Sequence, residues 1–546
     1  MSSEKETTAA PRADAGLPMS PKWDPEKLAA EKAELKRLES LPLGKRSLGY
    51  IKRTGPGLMQ SAMTLGAGSA TASVIAGASF GYKLLWVQPL AMFFGVMMLA
   101  ALSNVVLTRG ERPYKSFGKE VWKPLVFLWA FGTVLASVIW HFPQYTLLAG
   151  AGRDLFSTFG AQLDVPAGEA APAWIQSLAA AFKPLGVNVN TSINTLGYLI
   201  SFGVGALALV INIIVVFSYG TSSKGVKVYE RFLRVMIGLV IFFFGVVCLL
   251  NIRNIQWGEL FKGFIGYYGF PKNAQGVVET NTILQVLGML GAAVGINMTF
   301  LYPYSLLAKG WGEEHKQLAR WDLGMTMFLP FTIVTSLIIV AMTVTGVYTG
   351  ADVVDSTLTP LGAAAAFQGI PYGNVIFCLG LMGMCGGAIS AHMVACGFTM
   401  CELLGLDMTQ KRFRLFALTP CIGYLGVVIK LPMWFPVVTS AVCFTMLPIA
   451  YFIFFYLNNK RSYIGDAVGK GWKRVVFNII LIAALIFACV GAALSIKSNV
   501  VDKIMAKSAP AAEAVVEEPV AEEPVAEEPA AEEPVVEEPV AEEPAL

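Results

Sequence analysis

The sequence predicts an all-α polytopic membrane protein: about eleven transmembrane helices, with helices 1 and 6 broken. Three observations lead there. Of 546 residues, 55 % are hydrophobic and 14 % charged, where soluble domains carry about a quarter charged residues. The apolar residues gather into runs of roughly twenty or more, each able to cross a bilayer core about 30 Å thick. Lipid cannot satisfy a loose backbone, so the spans are helices. The third observation is that the first and sixth runs carry clustered glycines at mid-length.

Taken in order, the spans lie near 55–82, 84–108, 124–150, 193–218, 229–250, 283–308, 321–348, 374–403, 413–430, 433–457 and 475–496. The ninth is short. They divide the chain into an N-terminal segment (1–50), helices 1–5 (51–250), helices 6–10 (251–457), an extra helix 11 (458–500) and a tail (501–546). The first fifty residues are polar and lack the apolar stretch of a cleavable signal peptide. Within them "DPEKLAAEKAELKRLES" (Asp24–Ser40) reads as a short charged helix packed on the inner face. Twenty Lys and Arg residues fall in the loops on one side and six in those on the other. Basic loops stay inside, which predicts a plasma-membrane protein with a cytoplasmic N-terminus and an extracellular C-terminus. The tail, "VVEEPVAEEPVAEEPAAEEPVVEEPVAEEP" from Val515 to Pro544, repeats Glu-Glu-Pro every five residues. Proline at that spacing blocks a helix and the paired glutamates repel, so the tail reads as a disordered acidic spacer. The eight cysteines fall within spans and form no CxxC pair, as packing residues do.

The glycines of the first and sixth spans carry the functional reading. "GPGLMQSAMTLGAGSATAS" (Gly55–Ser73) holds Gly66 and Gly68 among the hydroxyls of Ser61, Thr64, Ser69, Thr71 and Ser73, with no Asp, Glu or His. "LGMLGAAVGINMTFLYPYS" (Leu287–Ser305) holds Gly288, Gly291 and Gly295, then Asn297, Thr299 and Pro303. Glycine weakens a helix by about 1 kcal/mol relative to alanine, so each cluster marks an unwinding point. Interrupted spans at matching places in two halves point to a transporter's substrate site, built from freed carbonyls and half-helix ends. Close packing of small residues is the competing reading of either span alone.

At these residues the sequence resembles the NRAMP family of divalent metal transporters, most clearly in "GPGL" and "AGASFGYKLLWV" (Ala76–Val87) and more weakly in "GGAISAHMVACGFTMCELLGL" (Gly386–Leu406). The likeness runs over roughly residues 50–460. It implies the family's fold, an inverted five-plus-five helix repeat with broken helices 1 and 6, plus one extra span. The family's Asp-Pro-Gly-Asn motif falls on Gly66, Ala67, Gly68 and Ser69, so the metal-binding Asp becomes Gly66 and the Asn becomes Ser69. Its ligating Met becomes Gly295, and its histidine positions become Asn297 and Tyr302. Its carbonyl ligand maps to Ala292 and can persist. Its acidic proton-path pair falls on His141 and Gln144. Within the family the sequence is most similar to the prokaryotic NRAMP-related magnesium transporters, which implies Mg²⁺ and also Mn²⁺ as substrates.

The substitutions have physical consequences. A soft sulfur ligand selects transition metals, and its loss removes that filter. Without the Asp charge nothing replaces the hydration energy of a bare dication. Mg²⁺ dehydrates reluctantly and keeps several waters, so a wide neutral pocket suits a partly hydrated ion. The expected binding residues are Gly66, Ala67, Ser69, Ala292, Gly295, Asn297 and Thr299, with Thr64, Ser73, Met298, Tyr302 and Ser440 as further lining. Ser69, Ala292 and Asn297 would face the ion, largely through carbonyls and water. Proton coupling needs titratable groups inside the membrane. Asp322, Glu230 and Glu402 lie at span ends, and His141 and His392 read as hydrogen-bonded packing residues. Uptake is therefore expected to be uncoupled from protons. Two alternatives stay open: a proton-coupled Mn²⁺ or Fe²⁺ transporter in which Met298 supplies the sulfur, and a carrier of amino acids or other neutral solutes. A metal-sensing scaffold fits poorly, because the chain has no sizeable soluble domain. No Walker loop, HExxH or nucleophilic triad is present, so the sequence does not read as an enzyme. Neither a cofactor nor nucleic acid is expected as a partner, and the oligomeric state is not legible.

Overall fold

The computed structural model describes residues 17, 25–166, 168–219, 223–273, 275–350, 360–364, 367, 372–431 and 435–497. The Glu-Glu-Pro repeats lie outside the described residues. Among these residues the chain is helical throughout, and the only β pairing is two isolated bridges, Asp164–Ile193 and Val189–Ile429.

Two helices, α1 (Pro25–Glu39) and α2 (Leu43–Ile51), precede the bundle. Leu35 and Leu38 of α1 are buried, and Gly49 of α2 leaves room for Leu38, because a Cβ there would lie 2.3 Å from its Cδ2. The pairs Lys32–Glu314 (3.1 Å) and Arg53–Glu34 (3.3 Å) dock α1 on its neighbours. The first span follows as two half-helices, α3 (Pro56–Thr64) and α4 (Ala67–Phe80). Next come α5 (Val87–Arg109), α6 (Pro113–Glu120) and α7 (Lys123–Ser157). Beyond a short α8 (Ala173–Phe182) lie α9 (Thr195–Ser218), α10 (Ser223–Leu250) and α11 (Trp257–Phe264). The sixth span is α12 (Thr280–Ala293) with α13 (Ile296–Ala308), and the seventh is α14 (Lys316–Asp322), a π turn (Leu323–Phe328) and α15 (Leu329–Val344). After α16 (Pro360–Ala364) run α17 (Gly373–Leu403), α18 (Gln410–Ala417), α19 (Phe435–Phe444), α20 (Leu447–Asn459), α21 (Arg461–Ile464) and α22 (Gly471–Ile496).

Nine of the described helices are long and apolar enough to cross a membrane, counting α12–α13, α14–α15 and α19–α20 as single spans. Two of the eleven expected spans are not among these nine. The first is split into pieces too short to cross alone. The ninth is α18 followed by a nine-residue 3₁₀ segment, Thr419–Val427, whose Gly423 and Gly426 press on the backbone of His141 and Phe142 in α7. A 3₁₀ segment rises about 2 Å per residue, so it travels further than an α-helix of equal length. The tenth span is also interrupted, at Thr445–Met446 just before Pro448, and the third runs on to Ser157.

Burial follows the same order. Every residue of α3, α4 and α13 is buried, while α9, α10 and α22 present Leu207, Ile214, Phe242 and Ile486 outward, as lipid-facing helices do.

Candidate functional site

The two broken spans meet in the core. In the first, Leu65 leaves helical geometry (φ −84°, ψ 60°), Gly66 is extended (−117°, −162°) and α4 starts at Ala67. In the sixth, Val294 (−144°, 118°) and Gly295 (−100°, 164°) are extended before α13 starts at Ile296. Any residue tolerates these angles, so the glycines are there for space. A Cβ on Gly66 would lie 2.7 Å from both Ala388 Cβ and Gln144 Nε2, and one on Gly295 would lie 2.7 Å from Asn297 Oδ1. The breaks are narrower than the glycine clusters suggest. Gly68, Gly288 and Gly291 are helical, and they allow close approach to Trp140 and Ser440, to Val437, and to the Ser440 carbonyl respectively. For those three the packing reading holds.

A helix start leaves backbone donors without partners, and the two breaks satisfy theirs differently. The Ala67 N–H donates to Gln144 Oε1 of α7 at 2.9 Å, and Ser69 Oγ donates to the Gly66 carbonyl at 3.2 Å. In the sixth span the Gly295 N–H donates to Met298 Sδ (3.3 Å), and the Met298 N–H donates to Asn297 Oδ1 (3.0 Å). Thr64 Oγ1 reaches the same sulfur at 3.6 Å, which ties the breaks together. Gln60 of α3 does so again: with its amide turned so that both ends find partners, it donates to the Met298 carbonyl and accepts from the Tyr302 N–H, both at 3.2 Å. The C-terminal ends of α3 and α12 also point at the breaks and bring partial negative charge.

Between them lies a cavity in which a water centre has about 20 Å³, room for roughly one water. Thr64, Gly66, Ser69, Ala292, Gly295 and Asn297 line it, and Met298 with them. The Ser440 hydroxyl, buried and without a hydrogen-bond partner, lies 3.0 Å from where a Cβ on Gly68 would be. The remaining expected residues turn away. Ala67 meets Gln144 through its backbone, Ser73 donates to Gln88 Oε1 (3.0 Å), Thr299 accepts from Trp129 Nε1 (2.8 Å), and the Tyr302 hydroxyl donates to the Ala319 carbonyl (3.3 Å). In this conformation the pocket is tight rather than roomy, because Trp140, Met298 and His392 fill it.

His392, which the sequence left as packing, lines the cavity, and so does Gln144, which the resemblance placed at a proton-path position. Asn297 Oδ1 already accepts from the backbone, so its Nδ2 donates to His392 Nδ1 at 3.1 Å. His141 stands beside His392 with ring centroids 5.5 Å apart and planes at 67°, and its Nδ1 donates to the Ser137 carbonyl at 3.0 Å. Among the described residues no place gathers three or more His, Cys, Asp or Glu side chains, so any ion here would meet mostly neutral donors. The acidic groups sit elsewhere. Asp322 accepts from the N–H groups of Gly55 (2.9 Å) and Gly57 (2.6 Å) at the start of α3, Glu230 pairs with Lys309 (2.8 Å), and Glu402 pairs with Arg112 (2.6 Å).

Fold and site together define a multi-pass membrane protein with a buried polar cavity at two helix breaks. The family profile "Nramp: Natural resistance-associated macrophage protein-like" matches residues 149–494, more than half of the chain, and the protein belongs to this family. The matched stretch begins within α7, so the first-span glycines lie outside it. The structure is similar to that of a manganese transporter from Eremococcus coleocola bound to an aromatic bis-isothiourea compound, with a TM-score of 0.58 and 14 % identity over 84 % of this chain and 90 % of that one. A variant of the same transporter gives 0.59 and 14 % over 86 % and 92 %. At this identity the likeness establishes the fold, an inverted repeat of helices. No curated protein matches the sequence.

Proposed function

We propose that the protein is a secondary transporter of divalent cations that takes up Mg²⁺, and also Mn²⁺, as partly hydrated ions without moving protons. Helices 1–5 (51–250) and 6–10 (251–457) act as the two repeats, in a plasma membrane, with the N-terminus in the cytoplasm. Membership of the family supports cation transport rather than catalysis. The observation that carries the finer reading is the cavity itself. Two helix breaks meet there with carbonyls, an amide and hydroxyls and no carboxylate, which suits an ion that keeps part of its water. The tight cavity is then the closed state of a path that must widen to admit that shell. A membrane potential supplies about 2.3 kcal/mol per charge per 100 mV, and twice that for a dication, which is enough to drive uptake.

A second reading is favoured by one observation: Met298 Sδ sits at the sixth-span break and His392 lines the cavity, and sulfur and imidazole favour transition metals. Reconstitution in liposomes separates the readings. With Mg²⁺-sensitive and pH-sensitive dyes trapped inside, the expected result is Mg²⁺ entry without acidification. Mn²⁺ entry with acidification and no Mg²⁺ entry would establish the second reading instead.

A further inference from the structure

We infer that His392 sets the ion preference of the cavity, as a nitrogen ligand held in its tautomer by Asn297 and backed by His141, which stands ready to take its other N–H. The inference rests on the divalent-cation reading above and adds to it a residue that discriminates between ions.

The hydrogen bonds run in one direction as far as His392. Met298 N–H donates to Asn297 Oδ1, and Asn297 Nδ2 donates to His392 Nδ1. A nitrogen that accepts carries the lone pair, so the proton of neutral His392 is on Nε2. His141 has the complementary form. Its Nδ1 faces a carbonyl and must carry the proton, which leaves Nε2 as a bare acceptor that is buried and unpartnered. One ring thus has a proton to give and the other, 5.5 Å away and edge-on, has a lone pair to receive it. A histidine that binds metal through one nitrogen donates its other N–H to a partner that fixes tautomer and orientation. No hydrogen bond joins the two rings in this conformation; His141, whose Nε2 is free and whose Nδ1 is fixed by the Ser137 carbonyl, is the group beside His392 that would take that N–H when an ion binds.

His392 Nδ1 is then a ligand whose lone pair is occupied by Asn297 until an ion arrives. An ion at this point takes the lone pair, and Asn297, released, can turn its amide oxygen toward the same ion. Met298 Sδ and the Ala292 carbonyl lie around the same cavity. One nitrogen and one sulfur among oxygens strengthen binding in the order Mn²⁺, Fe²⁺, Co²⁺, whereas Mg²⁺ gains little from either. His392 is thus a ligand and His141 a positioning residue.

The test is uptake by the full-length protein in liposomes, with Co²⁺ and Mg²⁺ measured separately and expressed as a ratio. His392→Gln is expected to lower the Co²⁺:Mg²⁺ ratio about tenfold or more. His141→Ala is expected to lower it about tenfold, the usual cost of losing a ligand's supporting partner. His141→Gln, whose amide oxygen can accept the same N–H, should restore most of it, which a purely structural role would not do. A ratio unchanged within twofold in His392→Gln overturns the inference and leaves cation transport standing. If the native protein carries neither ion, both fall. Should the variants fail to fold, pulsed EPR of Mn²⁺ bound to the native protein decides. Coupling to an imidazole ¹⁴N is expected, and an all-oxygen coordination sphere or no bound Mn²⁺ overturns the inference.

Discussion

The two broken helices differ in where they find their hydrogen bonds. The first leans on neighbours: Gln144 of α7 receives the Ala67 N–H at the break, and Asp322 of α14 receives two N–H groups where α3 begins. The sixth supplies itself, with Met298 and Asn297, one turn into α13, folding back onto its own start. The difference assigns distinct roles. At the first break backbone faces the cavity and the side chains are small, while the second carries the amide and the thioether, with the imidazole of α17 beside it. Under the proposed function, the side chains able to meet an ion are concentrated at the second break, and the first is steadied from outside.

Substitutions can break that comparison, starting with the borrowed contacts. Asp322→Ala strands two buried N–H groups, at about 1–3 kcal/mol each, so the largest fall in melting temperature in detergent is expected there, with loss of uptake. Gln144→Ala strands one donor at the break. A loss of about 2 kcal/mol is expected, and a melting temperature equal to wild type would show that the first break does not depend on α7. Met298→Leu should be milder, about 1–1.5 kcal/mol: the shapes are similar and Asn297 still accepts from the backbone N–H of residue 298, and only a weak sulfur acceptor is lost to the Gly295 N–H. Its effect belongs in selectivity, seen as weaker Co²⁺ competition against Mg²⁺. The smallest effect is expected from Lys32→Ala, which removes a half-exposed pair with Glu314. At most about 1 kcal/mol is at stake, and 1 M salt should erase the difference from wild type.

Much of the architecture was legible because lipid imposes it: long apolar runs, basic loops and glycine-marked spans follow from what a bilayer tolerates. Details that depend on partners were not. Gly66 and Gly68 look alike in sequence, yet one sits at the break and the other makes room for Trp140. Glycine reports both unwinding and close approach, and only the neighbour decides which. The interruption of the tenth span had a local signal in Pro448, whereas the 3₁₀ form of the ninth follows from Gly423 and Gly426 pressing on α7. His141 and His392 are far apart in sequence and share no periodicity. Nothing short of the folded core shows that they stand together, or that Asn297 joins them.

The Gln60 amide has a mechanical consequence. It grips the Met298 carbonyl and the Tyr302 N–H of α13 from within α3. With Thr64 Oγ1 on Met298 Sδ as a second attachment, the two short cylinders resist tilting independently. A displacement of α3 drags α13 through the same arc, so they would swing as a single blade, pivoting where the chain is already unwound.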